Sequence, residues 1–227
     1  MSKRRVGVFG GTFDPVHLGH TTLARSAYQQ CRFDELIVIP CALPPHRDLA
    51  QASNQQRLDM LEIAFSGFDN LSISDYEMRK SSVSYTVETL EYLVSSRLNT
   101  QWFFCLGGDS LGQFTTWHRW RDILKMAHLV VMGRETASID ELPMDLFHRI
   151  VGSQEFDPQS GATAGDIILL DEDESPISAT AIRHLFSVSG QTSHNVPELV
   201  TMPTTQGLSE LLDPRVLGYL FENKVYQ

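Results

Sequence analysis

Apolar residues recur along the chain in two alternating modes. Short continuous runs, RVGVFG, ELIVIP, QWFFCLGGD, AHLVVMGR and DIILLD, are each closed by Gly, Pro or a charged residue. Runs of four to eight residues rich in Val, Ile and Phe with such boundaries are buried strands, and LSISD reads as a shorter one. Between the runs, the apolar positions fall at helical spacing. A helix from His20 carries Leu23, Ala24, Ala27 and Cys31 on one side. SNQQRLDMLEIAF has Ser53 as N-cap and places Leu58, Leu61 and Phe65 on one face. SYTVETLEYLVSSRL turns Val87, Leu90, Leu93 and Val94 inward, and SATAIRHLFSV and DPRVLGYLFENK close the chain. GSQEFDPQSGATAG (152–165) and GQTSHNVPELVTMPTTQG (190–207) are rich in Gly, Pro, Ser and Thr and read as long surface loops.

Strands alternating with helices imply right-handed crossovers. The expected fold is therefore α/β: a doubly wound, mostly parallel sheet with helices on both faces. No linker separates two cores, so residues 1–227 are expected to form one domain, with a helical C-terminal part from about residue 178. Ligands of such sheets bind beyond the carboxyl ends of the strands, where the strand order reverses. The chemistry-bearing residues collect at those ends. Gly10, Gly11, Thr12, Asp14, His17 and His20 follow the first strand, and His46 and Arg47 of PPHR the second. Gly107, Gly108 and Asp109 follow the fourth strand, and Arg134 the fifth.

Composition narrows the function classes. The 227 residues are 42% hydrophobic and 20% charged, an ordinary globular balance, and the formal net charge is −10. Without a basic stripe, extended nucleic-acid binding is excluded, while a small anion held by a few local arginines fits. No apolar run approaches the roughly 18 residues of a membrane span, and the apolar part of MSKRRVGVFGG is too short for a signal-peptide core. Cys31, Cys41 and Cys105 match no disulfide framework or zinc motif, which fits a reducing cytoplasm.

The Gly10-Gly11 pair lets backbone approach a ligand, and the helix behind it offers free N–H groups to a phosphate. It is neither the G-x-G-x-x-G dinucleotide fingerprint nor a P-loop, whose lysine is absent. His17 and His20, three positions apart, share a helix face. Metal ligation with Asp14 as third ligand, acid/base catalysis and stabilisation of phosphate charge are all open to such a pair.

GGTFDPVHLGH resembles the signature of the nucleotidyltransferase superfamily related to class I aminoacyl-tRNA synthetases, its H-x-G-H motif being His17, Leu18, Gly19 and His20. ISATAIR (177–183) resembles the second signature of that superfamily, a hydroxyl-rich helix start carrying a basic residue. With PPHR, SYT, GGDS and TTW between them, in this order and over nearly the whole chain, the segments resemble those of bacterial nicotinate-nucleotide adenylyltransferases.

The resemblance implies a Rossmann-like nucleotidyltransferase fold and transfer of AMP from ATP to nicotinic acid mononucleotide, giving deamido-NAD and pyrophosphate. It assigns His17 and His20 as catalytic contacts to the ATP phosphates. Gly10, Gly11, Thr12, Phe13, Gly107, Asp109, Arg134, Ser178, Thr180 and Arg183 complete the implied ATP site. His46, Arg47, Tyr85, Thr86, Trp117 and His118 form the implied nicotinate-nucleotide site, with Trp117 stacked on the pyridine ring. Mg²⁺ is implied as cofactor, arriving on the ATP phosphates rather than in a protein cage. The implied partners are ATP and the mononucleotide, with a homo-oligomer left open. Position 118, often a second aromatic in the family, is His118 here, and 191–211 is longer than the usual connection to the last helix. Competing readings are adenylyl transfer to nicotinamide mononucleotide or phosphopantetheine, and a non-catalytic nucleotide sensor.

Overall fold

The computed structural model describes residues 3–43, 49–80, 82–133, 142–157, 162–171, 177–190 and 202–226. Seven strands, β1 (Arg4–Gly11), β2 (Glu35–Pro40), β3 (Leu71–Ile73), β4 (Thr100–Gly107), β5 (Ala127–Met132), β6 (Ile150–Gly152) and β7 (Ile167–Leu169), form one sheet in the order 3-2-1-4-5-7-6. Every pairing is parallel. The helices are α1 (Leu18–Gln30), α2 (Asn54–Ala64), α3 (Thr86–Ser96), α4 (Gly108–Gly112), α5 (Trp120–Met126), α6 (Met144–Phe147), α7 (Ala179–Gly190), α8 (Met202–Leu211) and α9 (Pro214–Glu222).

The continuous apolar runs make physical sense in this sheet. Side chains alternate between faces, and both faces are covered, so central strands are apolar nearly throughout; the buried polar exceptions, Gln101 of β4 and His128 of β5, pair with each other at 3.0 Å. Leu36, Val38, Phe103 and Cys105 enter a core beneath α1, α2 and the C-terminal helices. Ile37, Ile39, Trp102, Phe104 and Leu106 enter the opposite core, with Val87 and Leu90 of α3 and Ile123 of α5. Doubly wound α/β architecture is what the strand-helix alternation predicts.

Four local expectations are corrected. Strand β6 was not legible, since three residues, IVG, fall below the length at which an apolar run signals a strand. The 190–207 stretch is not loop throughout: from Met202 the chain is helical, with Pro203 in the first turn, where a missing N–H costs nothing. Leu208 at 1% exposure and Leu212 at 0% anchor the end of that segment in the core. In α2 the inward stripe is Arg57, Met60, Leu61 and Ala64, with Leu58 only half-buried. Helix α1 begins at Leu18 with His17 as N-cap, two residues before the expected start. Among the described residues no helix is long and apolar enough to cross a membrane, and all three cysteines are unpaired thiols.

Candidate active site

The chain moves outward from β1 to β2 and β3, then returns to place β4 on the other side of β1. The strand order therefore reverses between β1 and β4, and the carboxyl ends of these two strands, Gly11 and Gly107, flank the crevice where such sheets bind ligands. Gly10 and Gly11 are still strand, paired with Ile39 and Pro40, so the turn proper is Thr12–Val16. Gly11 has a packing reason of its own, because a Cβ there would lie 2.8 Å from Cζ of Phe13. A Cβ at Gly10 would meet Phe104 at an ordinary 3.5 Å. Gly11 thus makes room for the buried Phe13 ring, a packing role that the sequence reading of the glycines did not include.

His17 and His20 occupy the N-cap and third positions of α1, and their rings stack at 3.7 Å between centroids with 24° between planes. The backbone N–H of His17 donates to Nδ1 of His20 at 3.2 Å. A backbone amide only donates, so that Nδ1 carries a lone pair and the proton of neutral His20 sits on Nε2. Phe13 meets His20 edge-on at 5.0 Å, and Phe9 lies 6.2 Å away. This apolar surround lowers both imidazole pKa values: burial takes His17 to about 4, and burial together with the neighbouring His17 takes His20 well below its ordinary value. At neutral pH the pair is uncharged, a pair of N–H donors at the positive end of a helix whose first turn holds no acid. Nδ1 of His17 is buried without a hydrogen-bond partner, which is costly unless a ligand or water supplies one.

The two ends of the sequence meet here. Arg183 Nη1 donates to the carbonyl of Asp14 at 2.6 Å, and Nη2 donates to Thr180 Oγ1 at 3.2 Å. Ser178 caps α7 by accepting from the N–H of Ala181 at 3.1 Å, and both Ser178 and Thr180 remain exposed. Asp14 is not available as a metal ligand: its carboxylate is 3% exposed and accepts from the N–H groups of Gln51 and Ala52 and from the Tyr226 hydroxyl. Arg57, 1% exposed, donates to the carbonyls of Thr12 at 2.8 Å and Cys41 at 2.6 Å, and to Asn54 Oδ1 at 2.7 Å. It ties the ends of β1 and β2 together. Among the described residues no three His, Cys, Asp or Glu side chains converge as a metal cage.

Across the crevice, Asp109 Oδ1 accepts from Ser110 N at 2.8 Å, close enough that a Cβ on Gly107 would lie 2.6 Å from it. The N-cap of α3, Tyr85, makes no side-chain cap; Glu88 N–H donates to the Tyr85 carbonyl at 3.0 Å, and the N–H groups of Thr86 and Val87 precede it at the helix start. The Tyr85 ring meets His118 at 4.6 Å. Half-buried Trp117 sits against Phe104 at 6.0 Å and Phe114 at 5.6 Å, which brings Trp117, His118, Tyr85 and Thr86 to one side of the crevice. Arg119, in a left-handed backbone conformation, bridges Glu91 of α3 and Asp122 of α5 and so fixes the His118 turn to α3. His46, Arg47 and Arg134 lie outside the described residues. Sequence reasoning missed Arg57, Arg119 and Tyr226; an arginine in the apolar stripe of α2 was the one available signal.

The sheet is doubly wound, and the H-x-G-H histidines and the ISATAIR helix start meet at its switch point. Residues 8–185 match the family model described as cytidylyltransferase-like. A Pseudomonas entomophila protein described as a probable nicotinate-nucleotide adenylyltransferase is 39% identical over 203 residues, covering 88% of this chain and 92% of its own. One from Cellvibrio japonicus with the same description is 38% identical, covering 86% and 93%. The chain belongs to the nicotinate-nucleotide adenylyltransferase family. The Plasmodium falciparum nicotinic acid mononucleotide adenylyltransferase complexed with NaAD shares the fold at a TM-score of 0.71 and 14% identity, covering 98% of this chain and 97% of that one.

Proposed function

We propose that this enzyme transfers the AMP part of ATP to nicotinic acid mononucleotide, giving deamido-NAD and pyrophosphate. The observation that carries the reading is the stacked His17–His20 pair at the start of α1, joined to the Ser178–Arg183 helix start through Arg183 and the carbonyl of Asp14. The mononucleotide phosphate is itself the nucleophile, so the protein's task is alignment and charge stabilisation. His20 donates its Nε2 proton and His17 its ring N–H to the α- and β-phosphates, helped by the N-terminus of α1. The remaining guanidinium N–H groups of Arg183, beyond those given to Asp14 and Thr180, and the hydroxyls of Ser178 and Thr180 face the departing pyrophosphate. As anionic charge enters, the imidazoles regain proton affinity, so charge stabilisation grows where it is needed.

Asp109 holds the ATP ribose. Trp117 stacks on the pyridine ring, and the N–H groups at the start of α3 take its carboxylate. Among the described residues the donors here are hydroxyls and imidazoles, so Mg²⁺ would be carried in on the triphosphate. When bound, Mg²⁺ neutralises phosphate charge. We place the enzyme in the cytoplasm.

The test is a competition assay. Purified enzyme with ATP and Mg²⁺ is offered the acid and amide mononucleotides and phosphopantetheine in separate and mixed reactions. Deamido-NAD and pyrophosphate are expected from the acid. Turnover confined to the amide or to phosphopantetheine overturns the substrate assignment, and ATP binding without turnover of any acceptor supports the sensor reading.

A further inference from the structure

Tyr226 stands at the opposite end of the sequence from the histidine loop, yet its hydroxyl donates to Asp14 Oδ1 at 2.7 Å across 212 positions. Two other donors on that carboxylate come from a third segment: Ala52 N to Oδ1 at 3.0 Å and Gln51 N to Oδ2 at 2.8 Å. Arg183 reaches the carbonyl of the same residue and stands 3.8 Å from its Oδ2. Asp14 is therefore a buried node joining the histidine loop, residues 51–52, the Arg183 helix and the C-terminal segment.

The residue before the node holds the geometry of the site. Phe13 has φ of +52°, a conformation a bulky L-residue keeps only when its surroundings impose it. Both flanking carbonyls are held by guanidinium groups, Thr12 by Arg57 and Asp14 by Arg183. That conformation tucks the ring under Gly11 and edge-on to His20 at 5.0 Å. Tyr226 is itself left-handed, with φ of +67°, and its ring lies 5.9 Å from Phe186 of α7. Val225 beside it is 4% exposed, and its N–H donates to Leu220 O at 3.0 Å, so the segment is anchored when it reaches Asp14.

We propose that Tyr226 is a positioning residue of the phosphate site: its hydroxyl holds Asp14, and through Asp14 it fixes the Phe13 turn that orients His20 and Arg183. This rests on the reading of His20 and Arg183 as phosphate contacts. Phosphoryl transfer is sensitive to displacements of a fraction of an ångström, so loosening the node lowers turnover more than it lowers stability.

The molecule contains its own control. The Tyr219 hydroxyl donates to Asp59 Oδ2 at the same 2.7 Å, also tying the C-terminal region to the body but between α9 and α2, away from the histidines. Tyr226→Phe and Tyr219→Phe each remove one tyrosine-to-aspartate hydrogen bond and nothing else. Their melting temperatures, kcat and KM for ATP are compared with the parent, together with the ring-proton NMR signals of His17 and His20. For similar losses of melting temperature, Tyr226→Phe is expected to lose about tenfold or more in kcat/KM for ATP and to move the histidine signals. Tyr219→Phe is expected to stay within about twofold of the parent, as a change remote from the site does. The proposal is overturned if Tyr226→Phe keeps kcat and KM and leaves the histidine signals in place, or if both variants lose activity in step with stability. A His20→Ala enzyme assayed alongside separates the failures. If it too remains active, the phosphate assignment is wrong; if it alone is inactive, only the role of Tyr226 is.

Discussion

The imidazole pair shows how residue environment sets chemistry. His17 and His20 are neutral because rings and backbone surround them, and a neutral His20 has one tautomer because the amide of His17 occupies its Nδ1. Removing one preorganised donor to a developing oxyanion typically costs on the order of 10²–10³ in rate. His20→Ala is therefore expected to lower kcat by that factor with an unchanged circular dichroism spectrum; a variant within a few-fold of the parent contradicts the assignment. The same burial makes stability depend on pH. The folded-state pKa of His17, about 4, lies below the ordinary value of 6.5, so between these pH values the unfolded chain holds more protons than the folded one. The contribution is fully present above about 6.5 and is lost as pH falls toward 4, on the order of 3 kcal/mol from His17. Urea unfolding followed across this window checks the slope, and His17→Asn should reduce it, leaving the part that buried His20 contributes.

At the scale of elements, the site is assembled by side chains that join segment ends. Arg57 of α2 holds the ends of β1 and β2 through two carbonyls, and its own Nε is buried without a partner. Replacing it with Met keeps the volume but strands both carbonyls, each of which costs about 1–3 kcal/mol when buried unsatisfied. Arg57→Met is expected to lose roughly 2–4 kcal/mol in chemical denaturation and to weaken ATP binding, because the Thr12–Asp14 turn loses its anchor. Most elements were legible from the sequence: β1, β2, β4 and β5 from continuous apolar runs, α3 from Val87, Leu90 and Leu93. The misses have two causes. Strand β6 is too short for its own pattern to register, and the helices α4, α5 and α6, of four to seven residues, are also too short to show a periodicity. Helix α8 carries the polar composition of a loop, its helical state supported by Leu208 and Leu212 in the core.

For the whole molecule, the site depends on contacts that span the chain, Arg183 to Asp14 across 169 positions and Tyr226 to Asp14 across 212. A ligand bound between those segments stabilises the folded state alone, by about 2.7 kcal/mol at a hundredfold excess over its Kd. ATP with Mg²⁺ is thus expected to raise the melting temperature in a concentration-dependent way, whereas phosphopantetheine alone is not; equal shifts from both would contradict the adenylyltransferase site.

The sequence by itself determined the strand-helix alternation, the doubly wound class and the collection of chemistry-bearing residues behind the carboxyl ends of β1 and β4. Periodicity and turn residues act locally, and the superfamily signatures are contiguous words. Only the tertiary structure decided that Gly11 also makes room for Phe13, that the histidines stack as neutral donors, and that Asp14 is a structural node rather than a metal ligand. Those facts depend on desolvation and on hydrogen bonds between residues far apart in the chain. Burial and partnership are properties of the packed molecule, and no local pattern of residues encodes them.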